Sequence, residues 1–135
     1  MASERPQPTP AELSILRVLW RRGPSTVRDV QADLNRDRPS ESPTGYTTVL
    51  KLMQIMTDKG LVRRDESQRT HVYRPVASEE QTQSRLVRDL LERAFGGSAQ
   101  KLVLQALSAR PASPEEIAEI RSLLDEIEKG ERGER

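Results

Sequence analysis

The sequence predicts a mainly α fold interrupted by one small, basic β-hairpin. Three observations carry this. Apolar residues recur at helical spacing along most of the chain. Three capping boxes, Thr9-Pro10-Ala11-Glu12, Ser78-Glu79-Glu80-Gln81 and Ser113-Pro114-Glu115-Glu116, announce helix starts. Two-residue alternation replaces the helical period in one stretch, between Leu61 and Tyr73.

Taken in order, residues 1–8 are polar and broken by proline, a loose N-terminus. A first helix starts at the Thr9 box, with Pro10 at its first position, and Leu13, Leu16, Val18, Leu19 and Trp20 supply its buried stripe. Trp20 shares a face with Leu13 and Leu16, so it reads as core rather than as a stacking platform for bases. Gly23-Pro24 ends this helix. Ser25 or Thr26 caps a short second helix carrying Val27, Val30 and Leu34, which dies out in the charged loop from Asn35 to Pro43.

A third helix follows Thr44-Gly45 and stops at Gly60, with Lys59 in its last turn. Val49, Leu52, Met53 and Met56 form its apolar stripe. The opposite stripe carries Tyr46, Thr47, Thr48, Lys51 and Gln54, short or reaching polar groups suited to phosphates and base edges in a major groove. Leu61-Val62, the turn Asp65 to Gln68, and His71-Val72-Tyr73 then give a hairpin rimmed by Arg63, Arg64, Arg69 and Arg74. Helix, short helix, polar-faced helix and basic hairpin is the outline of a winged helix-turn-helix over residues 9–76. On this reading Tyr46, Thr47, Thr48 and Lys51 meet the groove while Arg63, Arg64 and Arg69 meet the DNA backbone. An ordinary α+β helix and hairpin is the plainer alternative.

Composition narrows the partners. The chain has 135 residues, 34% of them hydrophobic, and a mean hydropathy of −0.72, too little apolar material for a large monomeric core. The absence of cysteine excludes disulfides and thiolate chemistry, and no apolar run is long enough to span a bilayer, which points to the cytoplasm. The net charge of +1 conceals an asymmetry. Residues 1–76 hold 13 Lys and Arg against 9 Asp and Glu, whereas residues 77–135 hold 9 against 12.

Beyond Val76 three more helices are expected. The first carries Leu86, Val87, Leu90, Leu91, Ala94 and Phe95 and breaks at Gly96-Gly97; the second carries Leu102, Val103, Ala106 and Leu107; the third carries Ile117, Ile120, Leu124 and Ile127 and ends before Gly130. Residues 131–135 form a charged tail. So small a helical unit with so much apolar surface is marginal alone, so residues 77–130 read as a homodimerisation arm using Leu86, Leu90, Leu91, Phe95, Leu102, Ile117, Ile120 and Leu124. Packing against the first domain is the alternative.

The stretches TPAELSILRVLW, YTTVLKLMQIMTDKGLVRR with RTHVYRP, GG followed by KLVLQAL, and SPEEIAEIRSLLDEIE, in that order, make the chain similar to the penicillinase-repressor (BlaI/MecI) family of bacterial transcriptional regulators. The likeness runs from Thr9 to Lys129. It implies a dimeric repressor on an inverted-repeat operator of double-stranded DNA. In some members repression ends when a membrane metallopeptidase sensor responds to a β-lactam and the arm is cut by a linked protease. The family's cut falls between Asn and Phe; the matching positions here are Gln105 and Ala106. The paired C-terminal cysteines of copper-responsive relatives are absent.

Enzyme chemistry finds no support. His71 is the single histidine and is expected on the second wing strand, with no metal-ligand set around it. Gly96-Gly97 lacks the Lys and Ser or Thr of a phosphate loop. Glu115, Glu116 and Glu119 suit a helix N-terminus better than an acidic site. The expectation is therefore no catalysis, no cofactor, no metal and no small-molecule substrate. Two rivals from other classes are a winged-helix protein adaptor, whose binding would ignore salt, and a small hydrolase dependent on His71.

Overall fold

The computed structural model describes residues 7–37 and 42–133 and contains six helices and one two-stranded antiparallel sheet. The order is α1 (Pro10–Arg22), α2 (Val27–Asp37), α3 (Tyr46–Lys59), β1 (Val62–Asp65), β2 (Val72–Pro75), α4 (Glu79–Ala94), α5 (Ala99–Ala109) and α6 (Pro114–Gly133). This is a mainly α, winged-helix architecture. The chain divides into two compact units, Met1–Val87 and Arg88–Arg135, with the boundary inside α4.

In the first unit, α1 opens with the expected capping box. The Thr9 amide donates to Glu12 Oε1 at 2.9 Å, and the Glu12 amide donates to Thr9 Oγ1 at 3.2 Å. The buried stripe of α1 is broader than its sequence pattern indicates. Ile15, absent from the expected stripe, is fully buried beside Leu16, Val18 and Leu19, whereas Leu13 and Trp20 are only partly covered. The breadth follows from position, because α1 is contacted by α2, α3 and β2. The Trp20 indole donates to the Ala77 carbonyl at 3.0 Å, so its polar edge is satisfied within the protein.

Thr26, not Ser25, caps α2: its amide donates to Asp29 Oδ2 and its hydroxyl accepts from the Asp29 amide, each at 3.1 Å. Ser25 is buried and exchanges backbone hydrogen bonds with Tyr73, at 3.0 and 2.8 Å, adding an isolated bridge to β2. The hairpin is thereby fastened to the start of α2. The second helix is also longer than expected, reaching Asp37, and Asn35 holds Thr44 through its side chain on the far side of the loop. Residues 38–41 of that loop lie outside the described residues, as do residues 1–6 of the expected loose N-terminus.

The third helix begins after Gly45, which offers no side-chain cap, and ends at Gly60, whose φ of 81° closes the helix in the left-handed region. Val49, Met53 and Met56 are fully buried against α1, α2 and the hairpin, and Leu52 is partly so. Each completely buried side chain of this size contributes about 1.5–3 kcal/mol. Val62 and Tyr73 extend the core into the sheet.

In the second unit, Gly96 and Gly97 take φ of 55° and 80°, and the Gly97 amide bonds the Leu91 carbonyl at 2.9 Å, the expected helix break. Ser98 caps α5 through the Lys101 amide, and Ser113 caps α6 through the Glu116 amide. The last helix does not stop before Gly130. It continues to Gly133, because Gly130 keeps an ordinary negative φ and its neighbours are good helix formers. Residues 134–135 of the expected tail lie outside the described residues.

Candidate nucleic-acid interface

The polar stripe of α3 stands clear of the core. Tyr46, Thr47, Thr48, Lys51 and Gln54 are all exposed while Val49, Met53 and Met56 point inward, as a helix seated by one face requires. One ion pair fixes this helix, and another fixes the helices beneath it. At its C-terminal end Lys59 Nζ reaches the buried Glu12 carboxylate of α1 at 2.9 and 3.0 Å. Burial opposes ionisation of Glu12, but the Thr9 amide and the Lys59 ammonium outweigh it, so the carboxyl titrates below its ordinary value. Within α2, the nearly buried Asp33 carboxylate gathers Arg36 at 3.1 Å, Arg21 at 3.5 Å and Arg22 at 3.8 Å, joining α1 to α2. Local sequence offered Lys59 only as a helix-dipole partner; its contact lies 47 residues away.

The hairpin register sets Val62 against Pro75, Arg63 against Arg74, Arg64 against Tyr73 and Asp65 against Val72. Strand β1 therefore runs through Asp65, and His71 is an exposed turn residue before β2, not a strand residue as expected. Arg63 and Arg74 are directly opposed and exposed. Like charges so placed repel each other in the free protein, which suits a surface completed by a polyanion. Arg64 differs: it is half-buried and pairs with Glu66 at 2.6 Å. Hydrogen bonds from Arg64 to Tyr73 and to Glu66 raise the pKa of its guanidinium. Arg69 is exposed in the turn and makes no ion pair among the described residues. Arg74, not singled out for DNA contact from sequence, thus belongs with Arg63 and Arg69 as a wing cation.

The expected dimerisation residues fall into two groups. Leu86, Leu91, Phe95, Leu102, Ile117 and Ile120 are half-buried, while Leu90 and Leu124 are exposed at 45% and 60%. Gln105 and Ala106 are both exposed on α5. No group of His, Cys, Asp and Glu able to hold a metal occurs among the described residues. No helix among them is long and apolar enough to cross a membrane.

A family model described as penicillinase repressor matches residues 8–126. The chain is 31% identical over 120 residues to the transcriptional regulator BlaI of Mycobacterium tuberculosis, covering 88% of this chain and 83% of that protein. It is 27% identical over 121 residues to the penicillinase repressor of Bacillus licheniformis, with 90% and 91% covered, and 20% identical over 129 residues to that of Staphylococcus aureus, with 96% and 99% covered.

Proposed function

The chain belongs to the penicillinase repressor family, and from that premise we propose that it is a cytoplasmic, homodimeric transcriptional repressor that occupies an inverted-repeat operator. Family membership makes it a regulator and not an enzyme. The observation that carries the reading is the exposed polar face of α3 beside a wing whose Arg63 and Arg69 form no ion pair among the described residues, and whose exposed Arg74 meets a carboxylate only through the longer-range field of Asp65. Thr47, Thr48 and Lys51 enter the major groove, with Tyr46 at its edge, and Arg63, Arg69 and Arg74 hold phosphates. Arg64, tied to Glu66, approaches the backbone as a partly neutralised group.

The arm pairs two copies through Leu86, Leu90, Leu91, Phe95, Leu102, Ile117, Ile120 and Leu124, so that two α3 helices address half-sites about 34 Å apart or a multiple of that. Relief of repression follows from cutting the arm at Gln105-Ala106 by a protease linked to a membrane metallopeptidase sensor. Both residues are exposed, though α5 must unwind locally to enter an active site.

Selection of bound fragments from genomic DNA tests the reading. A recovered palindrome, bound with a steep inverse dependence on salt, is the expected result. Retention of no duplex, with salt-indifferent capture of a protein instead, would establish the adaptor alternative.

A further inference from the structure

Three arginines of α1 and α2 are neutralised within the fold: Arg21 by Asp37 at 2.8 Å and Asp33, Arg22 by Asp29 at 3.1 Å, and Arg36 by Asp33. Arg28 is not. It is exposed, forms no ion pair among the described residues, and lays its guanidinium over the ring of Tyr46, 5.1 Å from the centroid. The pair borders an open cleft of about 330 Å³ formed by the start of α2, the start of α3 and the wing turn. Arg28, Arg69, His71, Thr26 and Thr70 line it beside Tyr46, and no carboxylate among the described residues does.

We propose that Arg28, held over the ring of Tyr46, is a clamp for one phosphodiester of duplex DNA, closing on it from α2 while Arg69 closes from the wing. A guanidinium has five N–H donors in a fixed fork, more than a ring beneath it can engage, and that fork is the part that matches a phosphate. Stacking also restrains the side chain beforehand, so less freedom is lost on contact. The position suits a backbone contact better than a base contact, because the helix before the recognition helix crosses the phosphate chain in this type of docking. Tyr46 then acts as a positioning residue for Arg28, in addition to any contact of its own. The clamp rests on the repressor reading, whose failure is separately visible below.

The test measures binding of full-length protein against salt, on a mixed-sequence duplex and on a fragment recovered from genomic DNA. Arg28→Ala should weaken binding to the two duplexes by the same factor, roughly three- to tenfold, and lower the salt slope by about one unit. Arg28→Lys should keep the slope and recover part of the affinity. Tyr46→Phe, which keeps the ring beneath Arg28, should retain more of the affinity than Tyr46→Ala, which should fall between wild type and Arg28→Ala. An Arg28→Ala protein that binds within twofold of wild type, with an unchanged slope, overturns the clamp. So does a loss confined to the genomic fragment, which would mark a base contact. A rise in melting temperature with millimolar inorganic phosphate, matched against chloride and lost in Arg28→Ala, overturns it in favour of a small-anion site. Wild-type protein that binds neither duplex removes the repressor reading itself.

Discussion

Between Pro10 and Val87 the chain closes a core: among the described residues eleven apolar side chains, from Ile15 to Tyr73, are buried. Between Arg88 and Gly130 there are also eleven Leu, Ile and Val residues, yet none of these side chains is buried. Val103, Leu104, Leu123, Leu124 and Ile127 are half or more exposed. The same kind of helix, capped by the same serine and threonine devices, thus yields a finished surface in one unit and an unfinished one in the other. Local helix signals decide where a helix forms. Whether its stripe finds cover depends on the number of elements around it, and α1 has three such neighbours.

The strongest way to break this contrast is to charge the exposed stripe. If two arms cover each other, Leu124→Glu combined with Ile127→Glu removes four apolar side chains from a two-fold interface, each worth about 1.5–3 kcal/mol. Self-association should weaken about a thousandfold or more, read by sedimentation equilibrium. An unchanged mass at the same concentration would leave the stripe without a partner copy. Next in size is Ile15→Ala. Emptying a fully buried site should cost about 2–5 kcal/mol, lowering the melting temperature of the first unit by roughly 10 °C or more. That loss should not vary with protein concentration, whereas unfolding of the arm should, because association stabilises only what it covers. A concentration-dependent melting of the first unit would erase the distinction between the two.

The difference also explains which features are legible in sequence. The capping boxes at Thr9 and Ser78, the single side-chain cap of Ser113 and the break at Gly96-Gly97 involve residues no more than six positions apart, and each is found where local pattern puts it. The polar stripe of α3 is likewise a matter of spacing. What local pattern does not reveal is non-local. Glu12 meets Lys59, Ser25 bridges Tyr73, Arg28 lies over Tyr46, and Ile15 is enclosed from several sides. Element ends shift for a milder reason: His71 falls outside β2 and α6 runs on past Gly130 to Gly133 because residues at the end of an element change the energy little in either state.

The ion pair between Glu12 and Lys59 tests how far the closed unit depends on such non-local contacts. Lys59→Met would leave a buried carboxylate with only Thr9, at a cost of about 2 kcal/mol once the partial exposure of Lys59 is allowed for. The pH dependence has a definite sign. The folded carboxyl of Glu12 titrates below its ordinary value of 4.5, so its ionised form stabilises the fold above that pH. The contribution disappears as pH falls through the lower folded value. The stability gap between wild type and Glu12→Gln, from urea unfolding, should therefore be widest near neutrality and shrink on acidification. A gap that widened in acid would show that the charge is not what holds α3 to α1.

The smallest expected effect separates two kinds of exposed group within the first unit. Thr48 can offer a base edge one hydroxyl, and its removal should cost on the order of 1 kcal/mol on the selected fragment alone. Arg69 offers only charge to a phosphate, which every duplex possesses, so Arg69→Ala should weaken selected and mixed-sequence DNA alike and lower the salt slope by about one. Placing the substitutions together in one protein makes the comparison sharper. The residues lie on different elements, so their losses on the selected fragment should add, while on mixed-sequence DNA only the Arg69 loss should remain. Equal losses on the two duplexes from Thr48→Ala would mean that α3 rests on the backbone and reads no base through this hydroxyl.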